Sequence, residues 1–591
     1  MWRRVLALVA FTLPLALTSS PGLGEGPPGE ALIEAARAAL SRGDGIDSEM
    51  KLRAALAKGA SRSEVAAWMG KAYLEQDDLD KAHDWLASGN FSASTAADGW
   101  RALGLVERLQ GNLAASDRAY AKALDLIPDD ASLWVEIGRL RYASGQHVRA
   151  IAAADHALAL DPADVRALQY RGQLVRDRYG LRAALPWFEQ ALRHDAKDVS
   201  VLLDYAATLG EMGRAGEAVT VTRQVLEISP KNPRAYYLQS VIAARAGNYE
   251  LARGLLMRTE GKLDDQPGVQ MLHGVVELAA GNYAASSEAL EAVLRTKPDS
   301  RRAKDLLARA IYLGGQYRYA TLRFADEIAR DEASPYLLTV VARSYEALGE
   351  RRHAGELLDR AARPQMAPLR VLPGQGRIGD LLARGQGNMA QAAAEAARRS
   401  DPGFYDSQAL AGDVQLALGH ARAAQERYVQ AARIRMPESL FERRVAAYAL
   451  AGDLRGGQVL VEEYLLQHPN SQAALRAAAW LAIGTGNAAR ARAILTWLRD
   501  NGNSRDVELL TSLALVEAGE GNLEAARQNA QAAYRLQRAS PAATQALGFS
   551  YASLGIRTND ATALLDKAQA MVGDTPLIAQ ARDRLREKRR G

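Results

Sequence analysis

Apolar and polar positions along this chain follow the spacing of amphipathic helices. Trp100, Leu103 and Gly104 share one helical face, where a glycine lets a neighbouring helix come close and the aromatic fills the space beside it. Ala150 and Ala157 lie two turns apart on a following helix, small where two helices cross. The pattern predicts helices throughout and no strands, arranged as helix, turn, helix.

The arrangement is periodic. Gly43, Gly111, Gly145, Gly213, Gly247, Gly281, Gly315 and Gly349 fall on one 34-residue grid. Seven residues earlier stand Gly70, Gly104, Gly138, Gly172 and Gly274. A third rung carries Ala82, Ser116, Ala150, Ala184, Ala218, Ala252, Ser286, Ala320 and Ala354, and Pro128, Pro162, Pro230 and Pro298 close several units. A glycine after the first helix can take the left-handed conformation that stops it, and a proline such as Pro162 ends the second helix and opens the next unit. Ten units run without insertion over residues 29–363.

The grid breaks at 364–376, where Pro364, Pro368, Pro373, Gly374 and Gly376 are too many helix breakers to continue the array. A hinge is expected there. Similar units resume over 377–574, marked by Gly387 and Ala392; Gly412, Gly419, Ala424, Tyr428 and Ala431; Tyr448, Gly452 and Pro469; Gly486 and Ala491; Gly521 and Ala526; and Gly548, Tyr551 and Gly555. These make about six units with small length changes. Thr575 and Pro576 then start a basic capping helix over 575–591, the polar outer face that a terminal repeat needs.

The run Trp100-Arg101-Ala102-Leu103-Gly104, followed by Gly111, Tyr120, Ala123 and Pro128, resembles the tetratricopeptide repeat. The resemblance covers nearly all of the chain beyond its first residues, and it most resembles the exported bacterial type. It implies an all-α superhelical solenoid of about 16 helix-turn-helix units in two blocks. It also implies that the first helix of each unit lines the inner surface.

Composition narrows the function. There is no cysteine, which removes disulfides, zinc-thiolate sites, thiol nucleophiles and a lipidated N-terminal cysteine. Lys+Arg 74 against Asp+Glu 69 is close to balance. Arg3 and Arg4 precede an apolar run from Val5 to Leu17, too short for a bilayer, which needs about 20 residues. Residues 1–24 are therefore expected to be a signal peptide, cleaved between 18 and 26. The mature chain would then be periplasmic with no transmembrane segment. The eight histidines are dispersed, without a His-x-x-x-His pair, and there is no phosphate-binding glycine loop. Asp129-Asp130 and Asp264-Asp265 fit turn caps better than a metal site. No catalysis, cofactor or metal is expected.

Binding is the better expectation. Five positions of the first helix outside its core face, taken from Asp98, Arg101, Leu105, Arg108 and Leu109, can be followed through eight units. They return ten arginines (Arg101, Arg108, Arg139, Arg166, Arg176, Arg234, Arg245, Arg302, Arg309 and Arg343) against five acids (Asp98, Asp177, Glu211, Asp305 and Glu346). Tyr142, Tyr237 and Tyr312 are interleaved, with Gln169 and Gln173. In the second block the same stripe carries Arg476 against Asp406, Asp413, Glu442 and Glu508, with Trp480 and Phe549 as surface candidates. Guanidinium groups pair with carboxylates. The first-block groove is therefore expected to hold an acidic or extended segment of a protein partner, or alternatively an anionic polysaccharide. Helix-to-helix ion pairing is the competing reading of the same stripe. Nucleic acid is not expected, because the signal sends the chain away from it. The expected role is a scaffold in envelope assembly or export, such as exopolysaccharide secretion, pilus assembly or outer-membrane assembly.

Overall fold

The computed structural model describes residues 28–330, 333–362 and 376–590. The expected signal peptide and most of the expected hinge lie outside them. Among the described residues every regular element is helical. Two compact units are distinguished, one ending at Ser144 and one running from Gly145. Both sides of the 364–376 stretch belong to the second unit.

The first unit holds Pro28–Leu40, Gly45–Ala57, Arg62–Glu75, Leu79–Leu86, Ala96–Leu109, Leu113–Leu126 and Ala131–Ala143. The second begins with His147–Leu160 and continues in antiparallel pairs, from Val165–Tyr179 with Leu181–His194 to Pro335–Ala347 with Arg351–Ala362. Beyond 376 come six further pairs, from Gly376–Ala383 with Gly387–Ser400 to Pro541–Leu554 with Thr558–Val572, and the last helix Pro576–Arg590. The sixteen-unit reading holds.

Each rung has a visible cause. The grid glycines sit in the turn between two helices with positive φ, as at Gly111 (83°) and Gly281 (81°), a conformation that other residues adopt at a cost. Where the grid lacks glycine at 77, Asp77 takes the same conformation with φ 60°. Beyond the break, the turn glycine of the first unit is Gly385, not Gly387, and its buried small residue is Ala390 rather than Ala392. Inside the helices, a Cβ on Gly172 would stand 2.7 Å from the Phe188 ring, and one on Gly412 2.3 Å from Tyr428. Ala150, Ala184, Ala218 and Ala252 are fully buried at the crossings, and where serine replaces alanine its hydroxyl donates to the facing helix, as Ser286 does to Gly274 O (2.7 Å). Caps recur on the same period: Asp164, Asp198 and Asn232 accept from the backbone N–H three residues on.

Within the second unit, first helices of successive repeats approach one another more closely than second helices do, as Arg301–Leu313 does with Pro335–Ala347. The array therefore bends toward its first-helix side. Bending brings distant repeats together. Met436 N–H donates to Asp177 O (2.9 Å), Arg435 lies 3.7 Å from the Asp177 carboxylate, and Ala183 N–H donates to Gln467 Oε1 (3.1 Å). Gly145 packs against Phe404, and Gly213 against Asn470. Turns one repeat apart thus meet loops one repeat apart, which stacks residues 145–213 on residues 404–470.

Candidate functional site

The first unit carries Arg101, Arg108, Arg139 and Tyr142. Arg101 reaches Asp130 (3.6 Å) and Glu136 (3.7 Å) and is largely covered. Arg108 lies beside the buried Tyr120, whose hydroxyl donates to Glu136 (3.1 Å). Burial, then Glu136, pushes the Tyr120 phenol far above its ordinary range. Arg139 and Tyr142 are half-buried and engaged with neighbouring groups. Asp98 pairs with Lys71. At Arg101 and Asp98 the ion-pairing reading of the stripe holds.

The second unit sorts its stripe by depth. Gln169 and Gln173 both donate to Asp204 Oδ2 (2.6 and 2.7 Å), so both are engaged within the solenoid, Gln169 buried and Gln173 half-buried. Arg176 reaches Thr208 Oγ1 (3.4 Å), Arg245 donates to Gly210 O (3.1 Å), and Arg343 pairs with Glu346. Tyr237 packs on the start of the next first helix at Gly268, and burial raises its pKa. Tyr312 tilts against Tyr317 at 5.5 Å. Arg309 is half-buried near Tyr336. Among the stripe acids, Asp305 is half-buried. Burial raises its pKa to about 6, against the opposing Ser334 hydroxyl and Arg301.

Three arginines remain outermost. Arg166, Arg234 and Arg302 occupy the first-turn position of every second first helix and are exposed. Among the described residues none of them is within ion-pair distance of a carboxylate. Ser200, Gly268 and Tyr336 fill the same position in the intervening repeats and are also exposed, so no acid interrupts this column.

Beyond 376 the chemistry changes, and two sequence expectations are corrected. Asp413 is not a surface acid: it is 3% exposed, accepting from Tyr428 (2.8 Å) and Arg443 (3.0 Å). Phe549 is not a surface aromatic either, being 5% exposed beneath Arg584 of the terminal helix, 4.7 Å from the ring. A stripe read from one helix does not register what later packs on it. Trp480, by contrast, is 50% exposed. It walls a depression between Glu438–Leu450 and Gln472–Gly484 whose lining includes Phe441, Val445, Ala449 and Ala477, with Glu442 alongside. Arg476 is turned away, held by Asp506 (2.6 Å) and Asn503 (2.8 Å). The alanines that open the depression are the signal that the sequence reading passed over.

Within each unit the geometry is that of a helical repeat array. Tetratricopeptide-repeat models match residues 101–165, 181–242 and 271–337. With the recurring helix pairs, these matches identify the chain as a tetratricopeptide-repeat protein. It is 24% identical over 195 residues to Protein FlbA of Caulobacter vibrioides, covering 32% of this chain and 33% of FlbA. It is 26% identical over 253 residues to the Protein CTR9 homolog of Arabidopsis thaliana, covering 40% of this chain and 23% of that protein. The matches thus span a third or less of these curated relatives. Among solved structures, the APC/C hetero-tetramer Cut9-Hcn1 aligns with 12% identity and TM-score 0.38 over 95% of this chain and 96% of that one. The type IV pilus biogenesis factor PilW aligns with 17% identity and TM-score 0.31 over 36% of this chain and all of its own.

Proposed function

We propose that this protein is an exported, non-catalytic scaffold of the cell envelope, holding an acidic extended segment of a protein partner along Arg166, Arg234 and Arg302. Protein–protein interaction through a bent helical surface is what the repeat fold supports in general. The acidic partner and the location are the further steps. The carrying observation is the column of three exposed arginines without an intramolecular acid, since exposed guanidinium groups are free to make bidentate pairs with incoming carboxylates. The export step is supported by the basic start and the short apolar run from Val5 to Leu17. The pathway served would be exopolysaccharide secretion, pilus assembly or outer-membrane assembly.

Polyglutamate and a uronic-acid polymer present the same carboxylates on a peptide and on a polysaccharide chain. Titration of the purified protein with each, at low and at physiological salt, tests the reading. Polyglutamate should bind, weaken with salt, and lose affinity when all three arginines are replaced. Preference for the uronic-acid polymer would move the assignment to an anionic polysaccharide, and binding of neither would end it. Mass spectrometry of native protein should find an N-terminus near residues 19–27. An intact Met1 would remove the periplasmic assignment.

A further inference from the structure

The depression beside Trp480 has a different character from the arginine column and lies outside the function proposed above. Its floor is apolar: Phe441 is fully buried, and Val445, Ala449 and Ala477 are half-covered. Alanine side chains on both helices leave the space, and the half-exposed Trp480 ring stands as one wall. An exposed indole at the edge of an apolar hollow on a soluble surface is costly to leave hydrated, and such anchors dominate recognition when covered.

The charge at its edge selects the occupant. Glu442 lines the hollow and is one turn from Glu438. Among the described residues no cation is within ion-pair distance of Glu442; the adjacent Arg443 is committed to Asp413 (3.0 Å), and Arg476 to Asp506 (2.6 Å). Partial burial, then Glu438, holds the Glu442 carboxyl above its ordinary pKa, so a cation arriving there would relieve an unfavourable charge. Glu438 itself accepts from Ser471 Oγ (2.6 Å).

We propose that this depression docks a partner peptide that presents an aromatic or branched aliphatic side chain immediately beside a lysine or arginine. The apolar side chain fills the hollow against Trp480 and Val445, and the cation meets Glu442. The same protein would then read two opposite signals: carboxylates at the arginine column, and an apolar-basic pair here.

Two fluorescein-labelled nonapeptides in a Gly-Ser background test this, identical except that a central Phe is followed by Arg in one and by Glu in the other. Fluorescence polarisation against the whole mature chain should show the Phe-Arg peptide binding at least tenfold tighter. Glu442→Lys should reverse the preference, and Trp480→Ala should weaken the Phe-Arg peptide at least tenfold, with helix content and melting unchanged in both variants. Replacing Arg166, Arg234 and Arg302 should leave this binding intact, which separates failure here from failure of the acidic-partner reading. Equal binding of the two peptides, binding of neither, or insensitivity to both substitutions would overturn the proposal. So would a concentration-dependent dimer abolished by Trp480→Ala in sedimentation, because the occupant would then be a second copy of the chain.

Discussion

Helices Arg301–Leu313 and Gln472–Gly484 occupy equivalent places in their repeats, before the turn glycines Gly315 and Gly486. Counted back from those glycines, Arg302 stands against Ala473, Asp305 against Arg476, Arg309 against Trp480 and Tyr312 against Ile483. The inward positions stay apolar: Ala303 and Ala474 are both fully buried, and Leu307, Ala310 and Ile311 stand against Ala478, Leu481 and Ala482. Core slots are restricted by the close approach of helices, whereas the outward slots carry no packing demand and can take opposite chemistry. One scaffold therefore presents a cationic column in one stretch and an apolar, acid-edged hollow in another.

The largest expected difference concerns stability. Asp413 is enclosed with Tyr428 and Arg443, while no first-helix acid among residues 165–347 is so deeply covered. Asp413→Ala leaves a guanidinium and a phenol without their acceptor, and should destabilise by about 3–5 kcal/mol in urea unfolding. A loss near zero would show that the triad is solvated.

Next in size is binding at the column. Replacing Arg166, Arg234 and Arg302 with glutamate should weaken polyglutamate about 100-fold, close to 3 kcal/mol, with unchanged circular dichroism. Arg139 and Arg176 are left out of the set because both already have partners. Replacing Arg422, Arg433 and Arg490 instead should leave affinity nearly intact. Equal losses would mean that net charge alone matters.

The Asp305 and Arg476 exchange predicts a pH signature at the Asp305 slot. With a folded pKa near 6 against 3.8 as the ordinary value, Asp305 binds a proton in the folded state where the unfolded chain has released it. Between about pH 4 and 6 its contribution to stability therefore falls as pH rises. Asp305→Asn should remove about 1–2 kcal/mol of that slope, measured as urea midpoints at pH 4.5 and 7. An unchanged difference between the two midpoints would show that Asp305 is solvated.

The smallest effect lies where the two stretches meet. Gly180 offers no side chain to cap helix Leu181–His194, and Gln467 supplies an acceptor for Ala183 N–H from 284 residues away. Gln467→Ala should cost about 0.5–1 kcal/mol, visible as faster hydrogen exchange at the Ala183 amide. Unaltered exchange would show that water replaces the cap.

The fold was legible because each repeat is specified by neighbouring residues. The glycine at 111, the small residue at 116 and the cap at 130 act over one or two helices, so a linear ruler finds them. The candidate surface was legible only in part. Arg166, Arg234 and Arg302 could be read as outward from period alone, whereas Asp413 and Phe549 shared the stripe and are buried, because Arg443 and the terminal helix cover them.

The sequence by itself therefore determined the helix pairs, their period, their turns and the identity of the outward slots. These follow from backbone conformation and helix crossing, which are short-range. Only the tertiary structure decided which outward slots remain exposed, which arginines keep no partner, and that residues 145–213 pack on residues 404–470. The physical reason is accumulation. Each first-helix contact adds a small bend, and only after many repeats does the sum bring Asp177 to Met436 and Ala183 to Gln467, a pairing that no local pattern encodes.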